Sequence, residues 1–360
     1  MKIIISGGGT GGHLFPALAL ADAMKLQFPD SEIIFVGAKN KMEMDIVPKR
    51  GYKIIGLYIS GFHRRRLIRN IFFLFKLKLS IIHSLIILIR HRPNVVIGTG
   101  GFASGPILFC SSIFGIPTLI QEQNSFPGIT NRILGKFVNR ICVAYQGMNK
   151  YFDSKKVVLT GNPIRKNILN AKKRTEDANK YFNLSDKKTV LVLGGSLGAK
   201  TINDSISNFI TNNNFNFQII WQTGKLYYQD ISKNTAIKKD NVKVFPFISE
   251  IDLAFAAADI IISRAGAITL SELMFIGKPV ILIPSPNVSE NHQYKNAKIL
   301  EDNNAAILVE DKKSKNELSS LLLSLINNQE RMDLLSSNIF KMFKDNSINN
   351  IIEEVDNILK

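Results

Sequence analysis

Lys2-Ile3-Ile4-Ile5-Ser6 runs into Gly7-Gly8-Gly9-Thr10-Gly11-Gly12-His13, and an apolar-periodic stretch from Phe15 to Leu26 follows. The apolar run is a buried strand, the glycines turn the chain, and the periodic stretch is a helix. The device returns half a chain later. Thr189-Val190-Leu191-Val192-Leu193 enters Gly194-Gly195-Ser196-Leu197-Gly198, and a second helix starts near Ala199. A strand, a glycine turn and a helix N-terminus together aim backbone N–H groups and a positive dipole end at an anion. Two such units predict an α/β chain of two doubly wound, Rossmann-like domains facing across a cleft, with the ligand between them.

The surrounding pattern agrees. Strands are predicted at 32–36, 53–57, 94–97, 117–121 and 140–143, with helices at 41–49, 67–91, 104–113 and 128–136. In the second half, strands fall near 217–221, 242–245, 259–262, 279–283 and 305–308. Val157-Val158-Leu159-Thr160 leads into Gly161-Asn162-Pro163, read as an inter-domain hinge. The division is therefore 1–162 and 163–344, with a C-terminal helix at about 345–360 packing back on the first domain. Segment 170–188 is polar and reads as peripheral. A length of 360 residues suits two cores better than one.

The formal net charge is +17. Residues 1–160 hold 21 Lys and Arg against 7 Asp and Glu, a net of +14, and no acidic residue occurs between Asp45 and Glu122. The first half is thus the one expected to meet an anionic surface or ligand. Cys110 and Cys142 lie in apolar runs and read as buried thiols. No signal peptide is read at the N-terminus, and no uncharged apolar run reaches the roughly 18 residues of a membrane span. Segment 61–92 is basic and apolar together. Arg64, Arg65, Arg66, Arg69 and Lys76 flank Phe72, Phe73 and Phe75, the composition of a helix lying in a membrane interface. An unusually hydrophobic crossover helix is the alternative. Nucleic acid is not expected, because the partners of these cations are large apolar side chains.

Gly7, Gly9 and Gly12 satisfy G-x-G-x-x-G, but the second strand ends in Gly37-Ala38-Lys39 without the carboxylate a dinucleotide ribose needs. No phosphate-loop lysine follows either glycine turn, and no Asp-x-Asp stands ready for a metal. His13 begins a helix at the binding edge, where the dipole favours its neutral form, as a base or as a capping residue. Gly98 to Pro106 forms another glycine loop beside the first. Glu122-Gln123-Asn124 follows a strand at the same edge, able to orient His13 or to grip a sugar. In the second half, Ser263 to Glu272 opens a helix with small residues. Glu272 is placed for ribose hydroxyls or for a capping box. Arg165, past the hinge, reads as a phosphate clamp.

Taken in order and spacing, these segments and residues 290–297 resemble the family-28 glycosyltransferases that add N-acetylglucosamine to a lipid-linked sugar in bacterial cell-wall synthesis. The resemblance spans essentially the whole chain. It implies an inverting, metal-independent transferase of the GT-B fold, with no cofactor. Its implied substrates are UDP-N-acetylglucosamine (UDP-GlcNAc) and lipid I, the undecaprenyl-pyrophosphate-linked muramoyl-pentapeptide. The implied donor positions are Thr10, Gly11, Gly12, Asn124, Arg165, Ser196, Ile248, Ala267, Ile268, Thr269, Leu270, Ser271, Glu272 and Gln293. His13 and Glu122 are the implied catalytic positions. An anionic membrane surface on the cytoplasmic side of the inner membrane, and other cell-wall synthesis proteins there, are the further implied partners. Phe102 stands where some relatives carry Tyr, and 287–291 departs from the family pattern. The rivals are a diacylglycerol-type glycosyltransferase of the same fold, a nicotinamide oxidoreductase, and a non-enzymatic basic binding protein.

Overall fold

Ile3 and Ile5 point to one face of their strand and Ile4 to the other, and all three are buried, so the strand must lie mid-sheet. The computed structural model describes residues 1–61, 71–195 and 197–360. Contacts divide the chain into two units, Met1–Pro163 with Lys344–Lys360, and Ile164–Phe343. In the first unit the elements are β1 (Lys2–Gly7), α1 (Gly11–Gln27), β2 (Glu32–Ala38), α2 (Glu43–Lys49), β3 (Lys53–Leu57), α3 (Ile71–His91), β4 (Val95–Gly100), α4 (Ser104–Ile113), β5 (Thr118–Glu122), α5 (Ile129–Leu134), β6 (Arg140–Val143) and β7 (Val157–Leu159). The seven strands pair in the order β3-β2-β1-β4-β5-β6-β7, all in parallel. The order reverses between β1 and β4, so the loops after these strands flank the switch point where such sheets take ligands. There the β1–β4 register shifts between Ser6 and Gly7.

One face of this sheet is covered by α3, α4 and α5, through Ile87, Leu88, Ile107 and Leu134. The other is covered by α1 and by the C-terminal helix Ser347–Leu359, which contributes Ile351, Ile352 and Val355. Each fully buried aliphatic side chain of this kind is worth about 1.5–3 kcal/mol. Helix α3 departs from expectation. Phe72–His91 has a mean hydropathy of 2.1 and is long and apolar enough to cross a membrane. Lys76 and Lys78 interrupt the uncharged run without lowering the mean enough. The helix also serves the core: Leu77, Ile81 and Leu85 pack against it, and Ser80 donates its hydroxyl to the Tyr58 carbonyl at 3.1 Å.

The second unit contains α6 (Thr175–Phe182), β8 (Thr189–Leu193), α7 (Lys200–Asn212), β9 (Gln218–Gln222), α8 (Lys225–Lys233), β10 (Val242–Phe245), α9 (Ile251–Ala257), β11 (Ile260–Ser263), α10 (Ala267–Ile276), β12 (Val280–Leu282), α11 (His292–Asp302), β13 (Ile307–Leu308), α12 (Ser314–Ile326) and α13 (Gln329–Lys341). Its sheet runs β10-β9-β8-β11-β12-β13, with the switch point between β8 and β11. Trp221 is fully buried, and its indole N–H donates to Asn203 Oδ1 at 3.1 Å, which satisfies the one polar atom it carries inward. The segment read as peripheral is partly docked. Ala171, Ala178 and Phe182 are buried, Arg174 pairs with the buried Asp252, and the Phe182 and Phe245 rings meet at 5.6 Å. Its few inward residues are diluted by polar ones, so composition hides them.

Candidate active site

In the first unit, the loops after β1 and β4 meet around His13. Thr10 Oγ1 lies 3.2 Å from His13 Nδ1, and Thr99 Oγ1 donates to the His13 carbonyl at 2.8 Å. The imidazole rests against glycines. A Cβ on Gly100 would fall 2.8 Å from His13 Cδ2, and one on Gly101 would fall 2.3 Å from the Gly8 carbonyl. Both glycines also have positive φ, +97° and +86°, so the β4 loop is closed to side chains twice over. Gly12 differs. A Cβ there would meet only Thr10 Oγ1, at 3.8 Å. Neither packing nor a left-handed backbone requires glycine at this position.

Glu122 ends β5. It is 1% exposed. Oε1 accepts from the Asn124 backbone N–H at 3.0 Å and its side-chain amide at 3.1 Å. Oε2 accepts from Gly128 N–H at 3.1 Å and Asn131 Nδ2 at 2.8 Å. Burial lifts the carboxyl above its ordinary value, while these four donors pull it down. These four bonds tie residues 122–131 together. They hold Asn124 in place at the sheet edge.

In the second unit, Glu272 is 2% exposed and accepts from Arg165 in a two-pronged pair, Nε to Oε1 at 2.6 Å and Nη2 to Oε2 at 2.7 Å. The Arg165 guanidinium is thus tied to the Glu272 carboxylate. Helix α10 has Gly266 at its N-cap, and its first intrahelical bond is Leu270 N–H to the Gly266 carbonyl at 2.9 Å. The N–H groups of Ala267, Ile268 and Thr269 precede it and lack intrahelical acceptors. A Cβ on Gly266 would meet only Thr269 Oγ1, at 3.7 Å, so this helix end is as open as the one at Gly12. Leu270 is fully buried and presents no side chain to a ligand, and Ser271 Oγ donates within the helix to the Ala267 carbonyl at 3.1 Å. Gln293 Oε1 accepts Ser285 N–H at 2.8 Å. The preceding Glu290 and Asn291 both have left-handed φ, +57° and +54°, so the divergent run ends in two residues of uncommon backbone. Ser196, Arg64, Arg65, Arg66 and Arg69 lie outside the described residues.

Sequence reasoning missed three braces. Gln222 Oε1 accepts Ile248 N–H at 2.8 Å and its Nε2 donates to the Gly195 carbonyl at 3.0 Å. The Ile248 N–H thus has an acceptor within the fold. Arg264 pairs with Asp311 and donates to the Ile283 carbonyl at 2.9 Å. Glu43, fully buried, accepts from Gly9 N–H and Ala38 N–H, each at 3.0 Å. A polar residue closing an apolar strand, as in Ile219-Ile220-Trp221-Gln222, was the available signal for Gln222. Among the described residues, no group of three or more His, Cys, Asp or Glu is placed to hold a metal ion.

Two family models match: the glycosyltransferase family 28 N-terminal domain over residues 3–143 and the family 28 C-terminal domain over 189–354. The chain is 48% identical over 356 residues to the UDP-N-acetylglucosamine–N-acetylmuramyl-(pentapeptide) pyrophosphoryl-undecaprenol N-acetylglucosamine transferase of Flavobacterium psychrophilum, covering 98% of this chain and 96% of the relative. It is 47% identical over 364 residues to the protein of the same description in Parabacteroides distasonis, covering 99% and 98%. The crystal structure of Acinetobacter baumannii MurG superposes with a TM-score of 0.83 at 25% identity, covering 99% of each chain.

Proposed function

This chain belongs to glycosyltransferase family 28, and on that premise we propose how it moves N-acetylglucosamine from UDP-GlcNAc to lipid I. It is a UDP-GlcNAc-dependent transferase of peptidoglycan synthesis with the GT-B fold. The acceptor is the C4 hydroxyl of the muramoyl sugar, and the products are UDP and a β-1,4-linked lipid II. The second unit holds the donor, and the first holds the acceptor and the base. The observation that carries the donor assignment is the open N-terminus of α10, with Gly266 unobstructed and Glu272, on the same helix, paired with Arg165. UDP leaves with negative charge on its β-phosphate. Three N–H groups at a helix end stabilise it as it forms. Glu272, braced by Arg165, offers its outer lone pairs to the ribose hydroxyls, and Gln293 faces the sugar.

His13 takes the C4 proton as the new bond forms on the opposite side of the anomeric carbon from UDP. For Nε2 to act as base, Nδ1 must carry the ring proton and donate it to Thr10 Oγ1, which the 3.2 Å contact allows. Gly12, without a side chain, lets the reacting sugars approach α1. Membrane association follows from α3. Phe72, Phe75, Leu79, Ile82, Ile86 and Ile89 form an exposed stripe along one side of the helix. Phe73 is half-buried, and Lys76 sits 5.1 Å over the Tyr58 ring. These side chains enter the headgroup region of the inner membrane from the cytoplasmic side, where lipid I is reached.

The test is transfer of labelled N-acetylglucosamine from its UDP donor to a soluble lipid I analogue, in EDTA. Transfer is expected. His13→Ala should lose turnover and keep UDP affinity, whereas Glu272→Ala should lose donor affinity. Donor binding without transfer would move the acceptor to another lipid, and turnover by His13→Ala near the parent rate would end the base assignment.

A further inference from the structure

Glu43 begins α2, just beyond the end of β2, where sequence reasoning found no carboxylate. The side chain reaches back under the first glycine loop. Oε2 takes the Gly9 N–H and Oε1 takes the Ala38 N–H, each at 3.0 Å. Two glycines make its socket. A Cβ on Gly8 would lie 2.2 Å from Oε1, and one on Gly37 would lie 2.6 Å from Glu43 Cγ. Bonds from two backbone donors to one carboxylate in a fully buried socket are strong and directional.

We infer that Glu43 is a positioning residue for transfer, a resident anion that fixes the first glycine loop so that Thr10 meets His13. Gly7 to Gly12 has one side chain, Thr10, and nothing else of its own to restrain it. Gly9, clasped by Glu43, is the immediate neighbour of Thr10, and Thr10 Oγ1 is the partner of His13 Nδ1 at 3.2 Å. A loop that wanders loses the contact that keeps the proton on Nδ1 and leaves Nε2 basic. The same geometry says where the acceptor diphosphate does not bind: the Gly9 N–H is already occupied by a carboxylate. The inference rests on the His13 reading proposed above.

Glu43→Ala and Glu43→Gln test it. Glutamine keeps the volume, but its NH2 must face one of the two N–H donors, so it carries the test if the alanine variant does not fold. The expected loss is about 10- to 100-fold in kcat, with little change in donor KM, because the ribose and phosphate contacts are assigned to the other unit. Formate should restore turnover to Glu43→Ala by filling the emptied socket. Nitrogen-15 NMR of the His13 ring, assigned with His13→Ala, should show the Nδ1–H tautomer in the parent and a mixture in Glu43→Ala that formate reverses. Normal turnover in both variants overturns the inference. So does a loss that follows thermal unfolding alone, with no formate rescue and an unchanged tautomer. If His13→Ala itself turns over normally, the base reading fails and takes this inference with it. If His13→Ala is inactive while both Glu43 variants are normal, only the inference fails.

Discussion

Two kinds of glycine line the loops at the switch points, and they predict opposite phenotypes. Gly198 has φ +83°, and a Cβ there would fall 2.1 Å from the Thr223 carbonyl. Gly224 has φ +84°, and its Cβ would fall 2.3 Å from Gly198 N. Gly198→Ala therefore costs backbone strain and overlap together, at least about 2 kcal/mol, read as a lowered urea midpoint. Gly12 and Gly266 meet neither constraint. Gly12→Ala should hold or raise the thermal midpoint, because alanine favours a helix by up to about 1 kcal/mol over glycine. Transfer should nevertheless fall about tenfold or more. Unchanged transfer in Gly12→Ala would remove the argument for ligand approach at that helix end. Titration adds another check at this scale. Burial pushes the Cys142 thiol well above its ordinary 9.0. The folded chain keeps that proton while the unfolded chain releases it, so the stability present below pH 9 is lost as pH rises past it. One group accounts for about 1 kcal/mol by pH 10, and Cys142→Ala should flatten that part of the urea-midpoint profile. At this scale the sequence showed which residues crowd the sheet edges, but not which ones are spent on each other. Glu122, Arg165 and the Ile248 N–H are each bonded within the fold. Pairings across 107 positions, as for Arg165 and Glu272, leave no mark in local pattern.

At the scale of elements, the strands were legible because buried parallel strands are unbroken Ile, Val and Leu runs, as in Lys2–Gly7 and Thr189–Leu193. Segment 170–188 was not, since three inward side chains among lysines and asparagines give no clear period. Helix α3 was half legible. Its excess of apolar residues was plain, but not how they divide. The structure turns Ile87 and Leu88 to the sheet and leaves Phe72 and Phe75 exposed at 68% and 59%. Side chains this exposed contribute little to the core, so the double variant Phe72→Ser, Phe75→Ser should keep its thermal midpoint and its transfer to a soluble acceptor. Its sedimentation with anionic vesicles should weaken several-fold, as expected when two aromatic anchors leave an interface. A variant that unfolds, or that binds vesicles like the parent, would assign these residues to the fold or leave them without a membrane role.

The whole molecule carries +17, and +14 of that lies in residues 1–160. A field so lopsided has two possible uses. It can draw the anionic acceptor to the site, or it can draw the whole chain to a surface that holds the acceptor. Salt separates them. Exposed charges are screened beyond about 10 Å at 0.1 M ionic strength, so attraction to a lipid surface through scattered Lys and Arg should fade as salt rises. The donor site proposed at α10 relies on backbone N–H groups at a helix end, which hold an anion at close range, so donor binding should be screened far less. The expected result is that binding to anionic vesicles drops steeply between low and high salt, retaining an apolar remainder from α3. Transfer to a soluble acceptor should change little over the same range. If soluble transfer falls in parallel with vesicle binding, the basic excess serves the acceptor site itself, and the division of labour between a charged surface and a backbone-lined donor pocket is wrong.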